Sequence, residues 1–174
     1  MAEPTRRATK VLDASDVERA LKRIGYEIVE RNRGDVNIVF VGIEHGGIWI
    51  AEALASHVSG VLGTRVNQVS LDVRAFRDDV GPRTRTIVPA HMGFAGTTVV
   101  LVDDVLQSGR TVRAGLDALS AQGRASKIEL AVMIDRGQRE LPIRPDFVGK
   151  NLPTRRDEFV RVGQDGVYIE GRGE

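Results

Sequence analysis

The chain has 174 residues, 41% of them hydrophobic, which is enough for one ordinary globular domain with a substantial core. The 25 Lys and Arg nearly cancel the 24 Asp and Glu, so overall charge points to no class of partner and only local basic clusters can. With no cysteine there is no disulfide framework or thiolate metal site, and three scattered histidines do not suggest a metal cluster.

Residues 1–10 are polar and carry Arg6, Arg7 and Lys10. No apolar core of signal-peptide length follows, and no run approaches membrane-spanning length, so the expectation is a soluble, cytoplasmic protein with a disordered start. Ser15 and Glu18 have the spacing of a capping box, and Val17, Ala20, Leu21, Ile24 and Ile28 recur on one face of a helix ending near Asn32 and Gly34. Asn37 to Gly42 reads as a buried parallel strand that enters the loop Glu44-His45-Gly46-Gly47. A helix is predicted from Ile48 to about Val58 and a strand over Val66 to Val73. Residues 74–96 are rich in Arg, Asp, Gly and Pro and read as a mobile loop. Thr98 to Val102 is a second buried strand, Thr111 to Ser120 a helix stopped by Gly123, and Ile128 to Ile134 a third strand. Short runs at Asp146 to Val148, Glu158 to Val162 and Val167 to Ile169 suggest small strands near the chain end. Alternating strands and helices predict a single α/β domain over residues 1–174, with a mainly parallel sheet flanked by helices and its ligand site beyond the strand carboxyl ends.

The segment Val99-Val100-Leu101-Val102-Asp103-Asp104-Val105-Leu106-Gln107-Ser108-Gly109-Arg110-Thr111 carries the chemistry. An apolar strand delivers two adjacent carboxylates to its tip, and a turn then opens a helix. Backbone N–H groups at that helix start, with the Ser108 and Thr111 hydroxyls, can cradle a phosphate, and Gly109 permits close approach. Acceptor-only carboxylates suit two neighbouring ribose hydroxyls. The plainer alternative is that Asp103 and Asp104 merely cap the following helix. A cap alone does not require a second carboxylate, a glycine and two hydroxyls in one run.

This segment resembles the signature of type I phosphoribosyltransferases, a fold with a small hood built from the chain ends. Among them the chain is most similar to the pyrimidine operon attenuation regulators that are also uracil phosphoribosyltransferases. The resemblance runs through Glu30-Arg31-Asn32, Leu71-Asp72, Arg77-Asp78-Asp79 and Thr111-Val112-Arg113-Ala114-Gly115. It is most specific at Asp135-Arg136-Gly137-x-Arg139-Glu140-Leu-Pro-Ile-Arg144 followed by Gly149-Lys150-Asn151-x-Pro153-Thr154.

The resemblance implies that uracil reacts with 5-phosphoribosyl 1-pyrophosphate, bound with Mg2+, to give UMP and pyrophosphate. Asp103, Asp104 and Arg77 are then the catalytic candidates, with Arg77 closing over pyrophosphate; on spacing alone Arg77 is equally a solvated loop charge. Substrate would be held by His45, Gly46, Gly47, Asp103, Asp104, Val105, Leu106, Gln107, Ser108, Gly109, Arg110, Thr111, Arg136 and Val160. Of these, Val160 fits a core or surface role as readily. No protein ligand set for a metal is expected beyond magnesium on the substrate. At Gly46 the chain lacks the arginine usual in the family's pyrophosphate loop, and His45 and Gln107 replace its threonine and tyrosine. Gly46→Arg is therefore expected to raise transferase activity, provided the loop backbone does not require a positive φ there.

The family's second activity is binding pyrimidine leader mRNA under control of UMP or UTP. The implied RNA-binding residues are Arg19, Lys22, Arg23, Tyr26, Arg31, Gln138, Arg139, Arg144, Lys150 and Thr154, where cations neutralise phosphates and Tyr26 stacks on a base. A merely solvated charged surface remains the alternative. A homodimer or higher homo-oligomer is implied, and no membrane partner. Alternatives to the bifunctional reading are a nucleotide-sensing RNA regulator with little transferase activity and, third, a purine salvage phosphoribosyltransferase.

Overall fold

The computed structural model describes residues 7–78 and 93–171. Its elements run β1 (Arg7–Asp13), α1 (Ala14–Arg31), β2 (Ile38–Ile43), α2 (Gly47–Leu62), β3 (Asn67–Leu71), a 3-10 turn (Arg74–Phe76), β4 (Thr98–Leu106), α3 (Arg110–Ser120), β5 (Lys127–Asp135), β6 (Phe147–Asn151), β7 (Phe159–Gly163) and β8 (Gly166–Gly171).

Five strands form a parallel sheet in the order β3-β2-β4-β5-β6. Side chains alternate across it with period two. Val100 and Val102 of β4 therefore pack under α1 and α2, while Val99 and Leu101 pack under α3. Both faces are covered, which is why β2, β4 and β5 read as near-continuous apolar runs. The chain leaves β2 toward β3 on one side and returns to β4 on the other, so the crevice between the carboxyl ends of β2 and β4 is the switch point where such sheets bind ligands. Among the described residues no helix is long and apolar enough to cross a membrane.

The chain ends build a separate antiparallel sheet, β1-β8-β7, which is the expected hood. Residues 7–10, read from sequence as part of a disordered start, belong to β1 because their backbone pairs with β8. The capping box also lies elsewhere than predicted. Asp13 accepts from the Asp16 N–H at 2.8 Å and Asp16 accepts from the Asp13 N–H at 3.0 Å, while the Ser15 hydroxyl donates to Asp13. In the stretch 74–96, residues 79–92 lie outside the described residues, and its start is the ordered 3-10 turn fastened by Asp72 to Arg74.

Candidate active site

β4 continues four residues beyond its predicted end, so Asp103 and Asp104 lie within a paired strand tip, with Asp103 opposite Val132 and Leu106 opposite Asp135 on β5. The chain then turns through Gly109 (φ 92°), a left-handed conformation that glycine adopts without steric cost, and α3 begins with the Arg113 N–H donating to Gly109 O at 2.9 Å. Gly109 is the N-cap, Ser108 Oγ accepts from the Arg110 N–H at 3.3 Å, and Asp103 and Asp104 accept from the Asp104 and Val105 N–H groups rather than from the helix, so the capping alternative for the two aspartates fails. Donors of the first helical turn precede that bond and lie beside the Thr111 hydroxyl, as an anion cradle requires.

A cleft of about 450 Å³ opens over this turn. Arg77, Asp103, Asp104, Val105, Leu106, Gln107, Ser108, Gly109, Thr111, Arg136 and Val160, all expected site residues, line it together with Val112 and Phe159. Arg110 does not; it points outward to Asp78 and Glu140, at 2.8 and 2.7 Å. Phe159 was not a candidate from sequence. It is 54% exposed, and only the placement of β7 beside the β4 turn brings an aromatic ring to the cleft.

Asp103 is buried, and burial together with the neighbouring Asp104 carboxylate raises its carboxyl pKa well above the ordinary carboxylate value. Arg77 opposes that shift weakly and reaches the Thr111 hydroxyl, with Nη1 at 3.3 Å from Oγ1. Across the switch point, His45, Gly46 and Gly47, expected site residues that do not line this cleft, belong to a loop that approaches the tip of β4. A Cβ on Gly46 would lie 2.1 Å from Asp104 Oδ2, and one on Gly47 would lie 2.2 Å from Val102 O. The Gly46 backbone has an ordinary helical φ of −73°, so backbone conformation permits a larger residue there and the Asp104 carboxylate opposes it. The condition set for Gly46→Arg, a backbone without positive φ, is met, and the new side chain would have to displace the Asp104 carboxylate.

Arg136, expected among the substrate-binding residues, lines the cleft, while its buried guanidinium donates to Thr154 Oγ1 (2.6 Å), Gln107 Oε1 (3.0 Å), Arg155 O (2.9 Å) and Glu158 O (2.8 Å). It clamps the phosphate turn to the segment that leads into β7. Gln107 extends the clamp by donating to Gln138 Oε1 at 2.9 Å, and Gln138 donates to Thr154 O.

The expected RNA residues divide into two groups. Arg19, Lys22, Tyr26, Arg144 and Lys150 are exposed. Arg23 joins α1 to the edge strand β6 by donating to Val148 O and Gly149 O at 3.0 and 2.7 Å. By contrast, Arg139 is held inward by Asp135 (2.6 Å), Ile143 O (2.8 Å) and Gln107 O (3.1 Å). Arg31 is exposed as well, although it pairs with buried Glu129 at 3.0 Å and with Asp146 at 2.7 Å, and Gln138 and Thr154 belong to the clamp. Sequence spacing could not separate a cation facing solvent from one satisfying interior carbonyls.

The family described as phosphoribosyl transferase domain matches residues 7–164. Bifunctional protein PyrR 1 of Lactiplantibacillus plantarum is 49% identical, covering 94% of this chain and 97% of that protein. Bifunctional protein PyrR of Bacillus subtilis is 45% identical, covering 90% of each. Among solved structures, a hypoxanthine phosphoribosyltransferase of Trypanosoma cruzi in complex with the product IMP superimposes with a TM-score of 0.74 at 14% identity, covering 98% of this chain and 94% of that one.

Proposed function

The chain belongs to the phosphoribosyl transferase domain family and, within it, to the bifunctional PyrR proteins, and from that membership we propose how its cleft and its basic surface share the work. The protein is an RNA-binding attenuation regulator of pyrimidine biosynthesis with uracil phosphoribosyltransferase activity, responsive to uridine nucleotides. The observation that carries this reading is the single cleft uniting Asp103 and Asp104, the left-handed phosphate turn at Gly109 and the hood residues Phe159 and Val160.

In the reaction, uracil N1 bonds to the anomeric carbon of 5-phosphoribosyl 1-pyrophosphate as the bond to pyrophosphate breaks. The turn 107–111 holds the 5′-phosphate through backbone N–H groups and hydroxyls. Asp104 accepts from the ribose hydroxyls, while Asp103, with its raised proton affinity, can donate as well as accept. Phe159 and Val160 cover the base and exclude water from the oxocarbenium-like centre. Among the described residues no group of three or more His, Asp or Glu could cage a metal, and two hard carboxylates at the cleft suit an ion carried by the donor. Magnesium on the donor would neutralise charge on the departing pyrophosphate.

For RNA, Lys22, Tyr26 and Lys150, with Arg19 and Arg144, form the exposed candidate surface, joined where α1 packs on β6. The i,i+4 and i,i+3 partners of Lys22 and Arg19, Glu18 and Asp16, are exposed pairs of the weak kind that phosphate can replace. A cytoplasmic setting and a homodimer fit this reading.

The test is pyrophosphate release with magnesium, donor and each of uracil, hypoxanthine, guanine and xanthine. Uracil turnover is expected, and turnover of purines alone would overturn the assignment. A second reading, nucleotide sensing with little catalysis, is favoured by one observation: the Asp104 carboxylate lies over Gly46, where the family's loop usually carries arginine. RNA binding promoted by UMP without pyrophosphate release would select it.

A further inference from the structure

Resting on the transferase reading, we propose that Arg74 binds the pyrophosphate of the donor, supplying from the neighbouring strand end the positive charge that loop 44–47 lacks. The sheet register sets the surroundings of that loop. β2 pairs with β3 on one side, Ile43 opposite Leu71, and with β4 on the other, Gly42 opposite Val102. The Glu44 N–H donates to Leu71 O at 3.0 Å. Strands about 4.8 Å apart therefore bring Asp72 and Asp104 to the two flanks of a loop that itself carries Glu44. A polyanion over the Gly46 and Gly47 backbone would face three carboxylates, and Coulomb repulsion at such separations opposes binding unless a cation intervenes.

Arg74 stands on the β3 flank. Asp72 accepts from its Nε at 2.9 Å and from its Nη2 at 2.5 Å, and also from its backbone N–H at 2.9 Å, which fixes the guanidinium beside the loop. The side chain is still 70% exposed, so a ligand can reach it. Hydrogen bonding and charge at Asp72, with a smaller contribution from Glu44, raise its affinity for its proton, which places Glu44 in its electrostatic neighbourhood. Arg77 serves the other end of the site, beside Thr111 and Asp103. Arg77 follows the 3-10 turn directly as its C-cap, so one short segment carries both guanidiniums between the loop and the cleft. Two planar guanidiniums then divide one ligand: Arg77, expected from sequence to close over pyrophosphate, reaches the phosphate turn at Thr111 and takes the ribose 5′-phosphate, and Arg74 takes the pyrophosphate, each matched to a pair of phosphate oxygens.

The experiment titrates wild type, Arg74→Ala and Arg74→Lys with magnesium pyrophosphate and, separately, with UMP, and measures the KM for the donor with uracil. Pyrophosphate affinity is expected to fall on the order of tenfold in Arg74→Ala, the scale of one charge-assisted hydrogen bond, and to recover in part with Lys. The donor KM should rise in parallel. UMP, which has no pyrophosphate, should bind all three alike, with equal thermal midpoints. Unchanged pyrophosphate affinity in Arg74→Ala, or an equal loss for UMP and pyrophosphate, overturns the assignment. Failure of wild type to consume uracil would count against the transferase reading instead, and the pyrophosphate titration would still decide the role of Arg74.

Discussion

Replacing Arg136 with alanine tests whether the phosphate turn and the hood are held together as one body. The guanidinium serves two main-chain carbonyls and two side-chain oxygens at 2.6–3.0 Å, and the residue is 5% exposed. Because Arg136 also lines the cleft, water can reach part of the vacated space, so the low end of the penalty for an unsatisfied acceptor applies, about 1 kcal/mol each. Four acceptors then amount to about 4 kcal/mol, a large share of the ~5–15 kcal/mol that stabilises a domain. At roughly 2–4 °C per kcal/mol for a chain of this size, the thermal midpoint should fall by about 8–16 °C. Thr154→Val, which removes one acceptor, should lower it by only about 2–4 °C. Gln107 would lose its anchor in Arg136→Ala, and UMP affinity should fall on the order of tenfold as the turn loses its preorganisation. Circular dichroism melts with and without UMP measure both effects. A midpoint within about 2 °C of wild type, with UMP binding intact, would refute the clamp.

Asp103 makes stability depend on pH. Its folded-state pKa is raised, so the native state holds a proton that the unfolded chain releases, and stability declines as pH rises from the unfolded carboxylate value through the raised folded one. Asp103→Asn should remove that decline and melt higher than wild type at neutral pH while binding UMP more weakly; equal pH slopes for the two proteins would contradict the burial argument. Gly46→Arg should lower UMP affinity without raising turnover, because its Cβ displaces Asp104, and a well-folded variant with faster uracil turnover would show that the carboxylate yields freely. Lys150→Ala should weaken leader RNA binding and reduce the log–log salt slope by about 0.9, the value for one phosphate contact on duplex, with little change in melting. Arg139→Ala should instead lower the melting midpoint by several degrees, since it breaks a half-buried pair with Asp135 and frees two carbonyls, and a salt-slope change without destabilisation would return Arg139 to the RNA surface.

Much of the architecture was legible because local patterns encode it. β2, β4 and β5 announce themselves as apolar runs, since a strand covered on both faces has no polar side. The phosphate turn is equally local: carboxylates, hydroxyls and a glycine that must adopt a positive φ fall within nine residues. The absent arginine at Gly46 could also be read directly, although what fills its place could not. The contacts that tertiary structure decided join residues remote in the chain. Arg23 meets Gly149, Asn37 meets Gly96, and Gly46 meets Asp104. A cation in a polar stretch looks the same in sequence whether it faces water or buried carbonyls, so Arg136 and Arg139 could only be assigned once the chain had closed around them. β1 formed for the same reason. Its residues have modest strand character, and it is the edge of β8, more than 150 residues away, that supplies the backbone partners.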